Sequence, residues 1–261
     1  MKTALLISTY NWVEALELVL ESVLQQTQLP DEILIADDGS KTETKECIAA
    51  FSKKINRPVK HFWQEDNGFR KSKILNKAIA GSIADYIIQV DGDCILHRHF
   101  VSDHLAHKQQ NTYLYGSRVN IKEGFVNQVL TKKIIQFNYF SKQIKNKTRT
   151  LHIPFFSNLY KAHEGISKKF RGCNVSYWRA DFIAINGYNE DFEGWGKEDS
   201  DLAVRLGNLG VKAKRLRYAG IVFHIWHHIK SKENVAKNTA MEEDAANQKM
   251  VKCEHGVSQY L

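Results

Sequence analysis

Tyr86-Ile87-Ile88-Gln89-Val90, followed by Asp91-Gly92-Asp93, decides how this chain folds. A β-branched, apolar run of this length reads as a buried strand. Its carboxyl end delivers two carboxylates separated by one glycine, and period-two alternation aims Asp91 and Asp93 to the same side. Paired hard oxygen donors suit Mg²⁺ or Mn²⁺, ions that commonly hold substrate phosphates as well. A bare Asp-X-Asp also occurs in ordinary turns, so its meaning depends on its company.

Upstream, residues 5–9 form a short apolar run. Asn11 reads as the cap of a helix carrying Leu16, Val19, Leu20, Val23 and Leu24, with Glu14 making a near capping box. Residues 32–36 read as a second strand that stops at Asp37-Asp38-Gly39-Ser40. A helix is expected over about 42–53, a strand over 59–63, a turn at 66–68, and a helix through Ile74, Leu75, Ala78 and Ile79. Strands alternating with helices predict an α/β fold with a mostly parallel central sheet and helices on both faces. Such sheets bind ligands beyond the carboxyl ends of their strands, where strand order reverses. Thr9, Asp38 and Asp93 all fall just past such ends and are expected to share one site.

The 261 residues suffice for one compact domain with a sizeable core. No apolar run reaches the length of a membrane span, and the N-terminus reads straight into a strand with no signal peptide. Cys47, Cys94, Cys173 and Cys253 lie far apart with no Cys-X-X-Cys pair, which disfavours a zinc ribbon or a disulfide framework and fits a reducing cytoplasm. A formal charge of +8 favours anionic partners.

The second half is less regular. His104 and His107, near His97 and His99, lack an evident carboxylate partner set and read as a polar helix face. Residues 131–150 interleave Lys132, Lys133, Lys142, Lys145, Lys147 and Arg149 with Ile134, Ile135, Phe137, Tyr139 and Phe140. That pattern reads as a solvated basic face over a small apolar cluster, with nucleic-acid or membrane-surface contact as the alternatives.

Two further clusters carry chemistry. Glu198, Asp199 and Asp201 follow the bend Gly194-Trp195-Gly196 at the start of a helix. One or two acids complement a helix N-terminus, but three exceed that need. A carboxylate beside an aromatic floor suits a general base for a sugar hydroxyl. In Val222-Phe223-His224-Ile225-Trp226-His227-His228, His224 or His227 is expected to join Asp93 on a metal. The first strand is followed by Ser8-Thr9-Tyr10-Asn11, with neither a dinucleotide fingerprint nor a P-loop, which counts against nicotinamide enzymes and P-loop kinases.

Taken in order, Ser8-Thr9-Tyr10-Asn11, Asp37-Asp38-Gly39-Ser40, Asp91-Gly92-Asp93, Arg171-Gly172-Cys173-Asn174 and Gly194-Trp195-Gly196-Lys197-Glu198-Asp199 resemble glycosyltransferase family 2. The last segment is similar to the galactosyltransferase-type C-terminal region of bacterial chondroitin-type polymerases. The resemblance covers roughly residues 3–228. It implies a GT-A fold in residues 1–230, with a nucleotide-sugar half over about 1–118, an acceptor half over about 119–230, and a helical tail over 231–261. It also implies an inverting, Mn²⁺- or Mg²⁺-dependent transfer from a nucleotide-diphosphate sugar, expected to be UDP-linked. Thr9, Tyr10, Asp38, Arg70, Asp91 and Gly172 would hold the donor, and Asp93 with His224 or His227 the metal. Asp199 would be the base, and Glu198 and Trp195 would position the acceptor. The expected setting is cytoplasmic synthesis of a bacterial surface polysaccharide or lipopolysaccharide, on a glycan or lipid-linked acceptor. Peripheral contact with an anionic membrane is expected to be possible, and no nucleic-acid partner is expected. A sugar nucleotidyltransferase and a non-catalytic carbohydrate-binding module are the alternatives.

Overall fold

The computed structural model describes residues 1–165, 167, 169–228 and 233–261. The first half alternates as expected: β1 (Thr3–Thr9), α1 (Val13–Leu24), β2 (Glu32–Asp37), α2 (Thr42–Lys54), β3 (Val59–Trp63), α3 (Lys71–Ala80) and β4 (Tyr86–Asp91). Then come β5 (Cys94–Leu96), α4 (Phe100–His107), β6 (Thr112–Gly116), β7 (Arg118–Asn120), α5 (Val126–Thr131) and α6 (Pro154–Ser157). The chain continues with β8 (Asn174–Trp178), α7 (Arg179–Ala184), α8 (Glu198–Asn208), β9 (Lys212–Leu216), β10 (Val222–His224) and α9 (Val235–Asn247).

Among the described residues the main sheet has seven strands in the order β3-β2-β1-β4-β8-β6-β9. The run from β3 to β4 is parallel, β8 is antiparallel to both of its neighbours, and β6 and β9 are again parallel. Every residue of β1 and β2 is buried, as strands covered on both faces must be. Alternation sorts their side chains. Ala4, Leu6, Leu34, Ala36 and Ile87 meet Ile74, Leu75, Ala78 and Ile79 of α3 on one face. Leu5, Ile7, Ile33, Ile35, Ile88 and Val90 meet Leu16, Val19, Leu20 and Val23 of α1 on the other. A third cluster joins Ile95, Val119, Phe137, Ile144 and Phe223, so residues 131–150 do cover apolar side chains while Lys132, Lys133, Lys142 and Lys145 stay exposed.

Two local expectations are corrected. Asn11 does not cap α1: it sits in the left-handed region at φ 46°, and its Oδ1 accepts from the Lys41 amide at 3.0 Å, tying together the turns after β1 and β2. His104 and His107 are not a polar helix face, because both are buried. His104 lies under Ser176 and Asn174, at 2.7 and 3.1 Å, and burial lowers its pKa to about 4 although the Asn174 contact opposes this. Asp103, on the same helix, pairs instead with His152 from a distant segment. The expected boundary at 230/231 lies outside the described residues.

Candidate active site

Strand order reverses between β1 and β4, whose carboxyl ends lie side by side with Ser8 opposite Asp91. Over them opens a cleft of about 610 Å³. It is lined by Thr9, Tyr10, Asp38, Asp91, Asp93, Trp195, Glu198, Asp199, His224 and His227, which are all the expected site residues except Arg70 and Gly172. The sheet gathers them: β1, β2 and β4 end on one side, while β10 and the start of α8 supply the others.

Asp93 follows β4 and is fixed by its own carbonyl, which accepts from the Ile225 amide at 2.9 Å just beyond β10. Its Oδ2 lies 3.6 Å from His224 Nε2 and 3.2 Å from His227 Nε2. The sequence left His224 and His227 as competing partners, and the fold brings both to Asp93. One donor atom from each of the three lies within 4.8 Å of the others. Burial resists ionisation of Asp93, yet the His227 hydrogen bond and the nearby His224 hold its pKa below the usual carboxylate value. Burial lowers the pKa of His224, favouring the neutral imidazole that metals take. Two imidazole nitrogens beside a carboxylate suit Mn²⁺, a transition metal that accepts nitrogen as well as oxygen, better than Mg²⁺, whose shell is usually all oxygen.

Asp91 is turned to other partners. Its Oδ1 accepts from Ser8 Oγ and from Lys71 Nζ, each at 2.8 Å. Lys71 opens α3, the positive end of a helix dipole and a poor place for a cation unless carboxylates are near. Burial works against its charge, but Asp91, Asp199 and Glu198 keep its pKa well above the ordinary lysine value. That placement is the signal by which the sequence could have pointed to Lys71 as a site residue. Arg118 and Asn120 of β7 also line the cleft and were likewise missed, since a three-residue strand carries no clear pattern.

Arg70 and Gly172 act through the backbone. The Arg70 amide donates to Asp38 Oδ2 at 2.9 Å and Gln64 Nε2 donates to its Oδ1, which orients the carboxylate at the cleft wall. The Arg70 guanidinium itself folds back onto the Glu65 carbonyl. Gly172 donates its N–H to Asp199 Oδ2 at 2.9 Å, and a Cβ at position 172 would lie 2.1 Å from Asp199 Oδ1. Gln89, wholly buried in β4, holds the Gly172 carbonyl in turn at 3.1 Å.

Asp199 Oδ1 is buried with no hydrogen-bond partner among the described residues, and so is Asn120 Oδ1. Burial raises the pKa of Asp199, opposed by Lys71 and the Gly172 amide and reinforced by Asp91. Burial and then the Asp199 charge push Glu198 up to about 7. The third acid turns away from the cleft. Asp201 Oδ2 accepts from Arg205 Nε and Nη2 at 2.9 and 2.6 Å in the core.

Residues 4–163 match the profile of Glycosyl transferase family 2, and residues 155–228 match that described as the N-terminal domain of galactosyltransferase. Chondroitin synthase of Escherichia coli is 24% identical over 221 residues, 78% of this chain and 32% of that protein. Validoxylamine A glucosyltransferase of Streptomyces hygroscopicus subsp. limoneus is 25% identical over 229 residues, 80% of this chain and 48% of that protein. The chain thus spans less than half the length of either relative. The crystal structure of S. aureus TarS superimposes with a TM-score of 0.65 at 14% identity, covering 100% of this chain and 41% of that one. The mannosyltransferase PcManGT from Pyrobaculum calidifontis, in complex with GDP-Man and Mn²⁺, gives 0.60 at 14% identity over 95% of this chain and 63% of that one. At such identity the likeness speaks for the fold, which is GT-A-like.

Proposed function

From the premise that this chain belongs to Glycosyl transferase family 2, we propose that it moves a sugar, with inversion, from a UDP-sugar to a hydroxyl of a glycan acceptor. The observation that carries this reading is the meeting, in one cleft, of the Asp93–His224–His227 set with an Asp199 carboxylate that has one oxygen unpartnered among the described residues.

Asp93, His224 and His227 would hold Mn²⁺ or Mg²⁺. When bound, that ion supplies neutralising charge for the departing diphosphate. Thr9, Tyr10 and Asp38 face the base and ribose at the ends of β1 and β2, and Arg70 contributes its backbone amide to Asp38 rather than its charge to the nucleotide. Lys71, Arg118 and Arg171 line the same cleft and give it cationic character toward a diphosphate. Asp199 Oδ2 is anchored on the Gly172 amide, and an acceptor hydroxyl would answer the need of Oδ1 for a donor. The acceptor oxygen bonds to the anomeric carbon as the bond from that carbon to the β-phosphate oxygen breaks. The hydroxyl proton passes to Asp199, and the electron pair leaves on the nucleoside diphosphate. Trp195, 41% exposed at the cleft mouth, offers a ring face to the acceptor beside Glu198.

The wider setting belongs to the same proposal: a cytoplasmic enzyme, with residues 1–230 as its catalytic domain, building a bacterial surface polysaccharide or lipopolysaccharide. Exposed Tyr139 and Phe140, flanked by lysines, support a peripheral contact with an anionic membrane. No helix among the described residues is long and apolar enough to cross a membrane.

Slow hydrolysis of the donor tests the centre of the proposal without a guess at the acceptor. A panel of UDP- and GDP-sugars with and without Mn²⁺ is expected to give metal-dependent UDP release from one donor, abolished in Asp93→Ala. Metal-independent release, or release that survives the substitution, would refute the metal assignment. Absence of both release and metal-dependent nucleotide binding by calorimetry would refute the transferase reading.

A further inference from the structure

A second histidine–carboxylate cluster lies outside the cleft. His97 follows β5, Asp103 sits in the first turn of α4, and His152 arrives from the long excursion between β7 and β8. One donor atom from each lies within 4.8 Å of the others. His152 Nε2 is 3.0 Å from both oxygens of Asp103. The His97 and His152 rings stand 4.8 Å apart, and His99 stacks on His152 at 4.9 Å and 13°.

The surroundings hold these groups in place. Asp103 is buried, and its Oδ2 also accepts from the Gly220 amide at 2.8 Å. The His97 amide is bound to the Ile221 carbonyl at 3.0 Å, and the Ile153 amide to the Tyr218 carbonyl at 2.9 Å. His99 Nδ1 meets Thr27 Oγ1 at 3.0 Å, so the stacked ring is braced from the far side. Three remote stretches of sequence therefore converge through fixed backbone on two imidazoles and one carboxylate. An Asp103–His152 ion pair alone would need no third ring in the same wall.

We propose that His97, Asp103 and His152 form a second, structural site for a divalent transition metal, with Zn²⁺ as the best fit to the donors. Two nitrogens and a carboxylate oxygen with water as the fourth ligand make an ordinary zinc shell, with bonds of about 2.0–2.2 Å. Ligand atoms in such a shell lie roughly 3.5 Å apart, so modest side-chain rotations would close this set. The Gly220 amide on Asp103 and the stack of His99 on His152 supply the outer contacts that orient ligands. The site fastens the segment around residue 152 to a second, three-stranded sheet of order β5-β10-β7. It also mirrors the cleft: β5 and β10 pair antiparallel, with Asp93 and His224 at one end of the ladder and His97 and Asp103 at the other. The three residues of β5 separate the two ends by about 10 Å.

Zinc stoichiometry by equilibrium dialysis and elemental analysis tests this on the full chain, in the native, Asp93→Ala, His152→Gln and doubly substituted forms. His152→Gln is expected to remove one equivalent from the native chain. Asp93→Ala is expected to retain one equivalent that the double substitution abolishes. Zinc content unaffected by His152→Gln would overturn the proposal, whatever the Asp93→Ala chain does, so failure here is separable from failure of the cleft assignment. Co²⁺ spectra of Asp93→Ala guard against a misfolded double variant. Visible bands several-fold stronger than those of aqueous Co²⁺ are expected for this low-coordinate donor set, and their absence would overturn it equally.

Discussion

Asp199 rests on Gly172 with no room for a side chain, since a Cβ would stand 2.1 Å from its Oδ1. Gly172→Ala should therefore displace the carboxylate and lower kcat about 10²-fold, the usual penalty for a misplacement near 1 Å. Asp199→Asn should lower kcat by about 10²–10⁴-fold while donor binding by calorimetry holds. Equal loss of donor binding would contradict the base assignment. Because burial raises the pKa of Asp199, the acid limb of kcat/KM for the acceptor should lie above the ordinary aspartate range. A base works only once ionised, so activity should fall as pH drops through that raised value. Glu198, buried beside it and titrating at about 7, adds like charge as it ionises. That charge appears only after Asp199 has ionised, so Glu198→Gln should leave the acid limb in place, and a pH profile at saturating donor would show it. The meeting of Asp93 and Asp199 in one cleft was legible in the sequence because their motifs, weak singly, stand in a specific order along the chain. Lys71 and Gln89 were not, since their roles arise from contacts with Asp91 and Gly172, 20 and 83 positions away.

α8 shows how one element divides its acids between site and core. Glu198 and Asp199 face the cleft from its first turn, whereas Asp201 points inward to Arg205, which also donates to the carbonyls of Ile185 and Gly187 at 2.8 and 2.7 Å. Removing the carboxylate leaves a buried guanidinium short of its counter-charge, a defect worth about 3–5 kcal/mol. Asp201→Ala should accordingly lower unfolding stability by about that amount in urea titrations, with activity per folded molecule nearly kept. Parallel strands and their helices were readable because apolar periodicity is a local signal: β3 and α2 fall within one residue of expectation. Asn11 misled because a left-handed turn residue and a helix cap have the same composition. His104 misled because its partners, Ser176 and Asn174, lie on a strand 70 residues away.

Across the whole molecule, the C-terminal helix supports the wall of the cleft that carries Trp195. Asn238 of α9 is fully buried and donates to the carbonyls of Glu193 and Gly196 at 3.1 and 2.9 Å, bracing the bend that presents Trp195. Glu242 pairs with Lys197 at the same bend. Asn238→Ala should raise the acceptor KM several-fold while acceptor-free donor hydrolysis stays near native. A loss of both would mean that the bend also supports the nucleotide site. The position of β8 has a different reach. It lies between β4 and β6, so a strand from late in the chain separates two strands from early in it. Exchange of specificity between relatives by trading C-terminal halves must then re-form the β4–β8, β8–β6 and β6–β9 pairings between strands of different origin. A cut after residue 118 leaves β4 with a raw hydrogen-bonding edge and β6 without its inner neighbour, an invitation to aggregate. What can be traded is a stretch that leaves the sheet, such as residues 121–162.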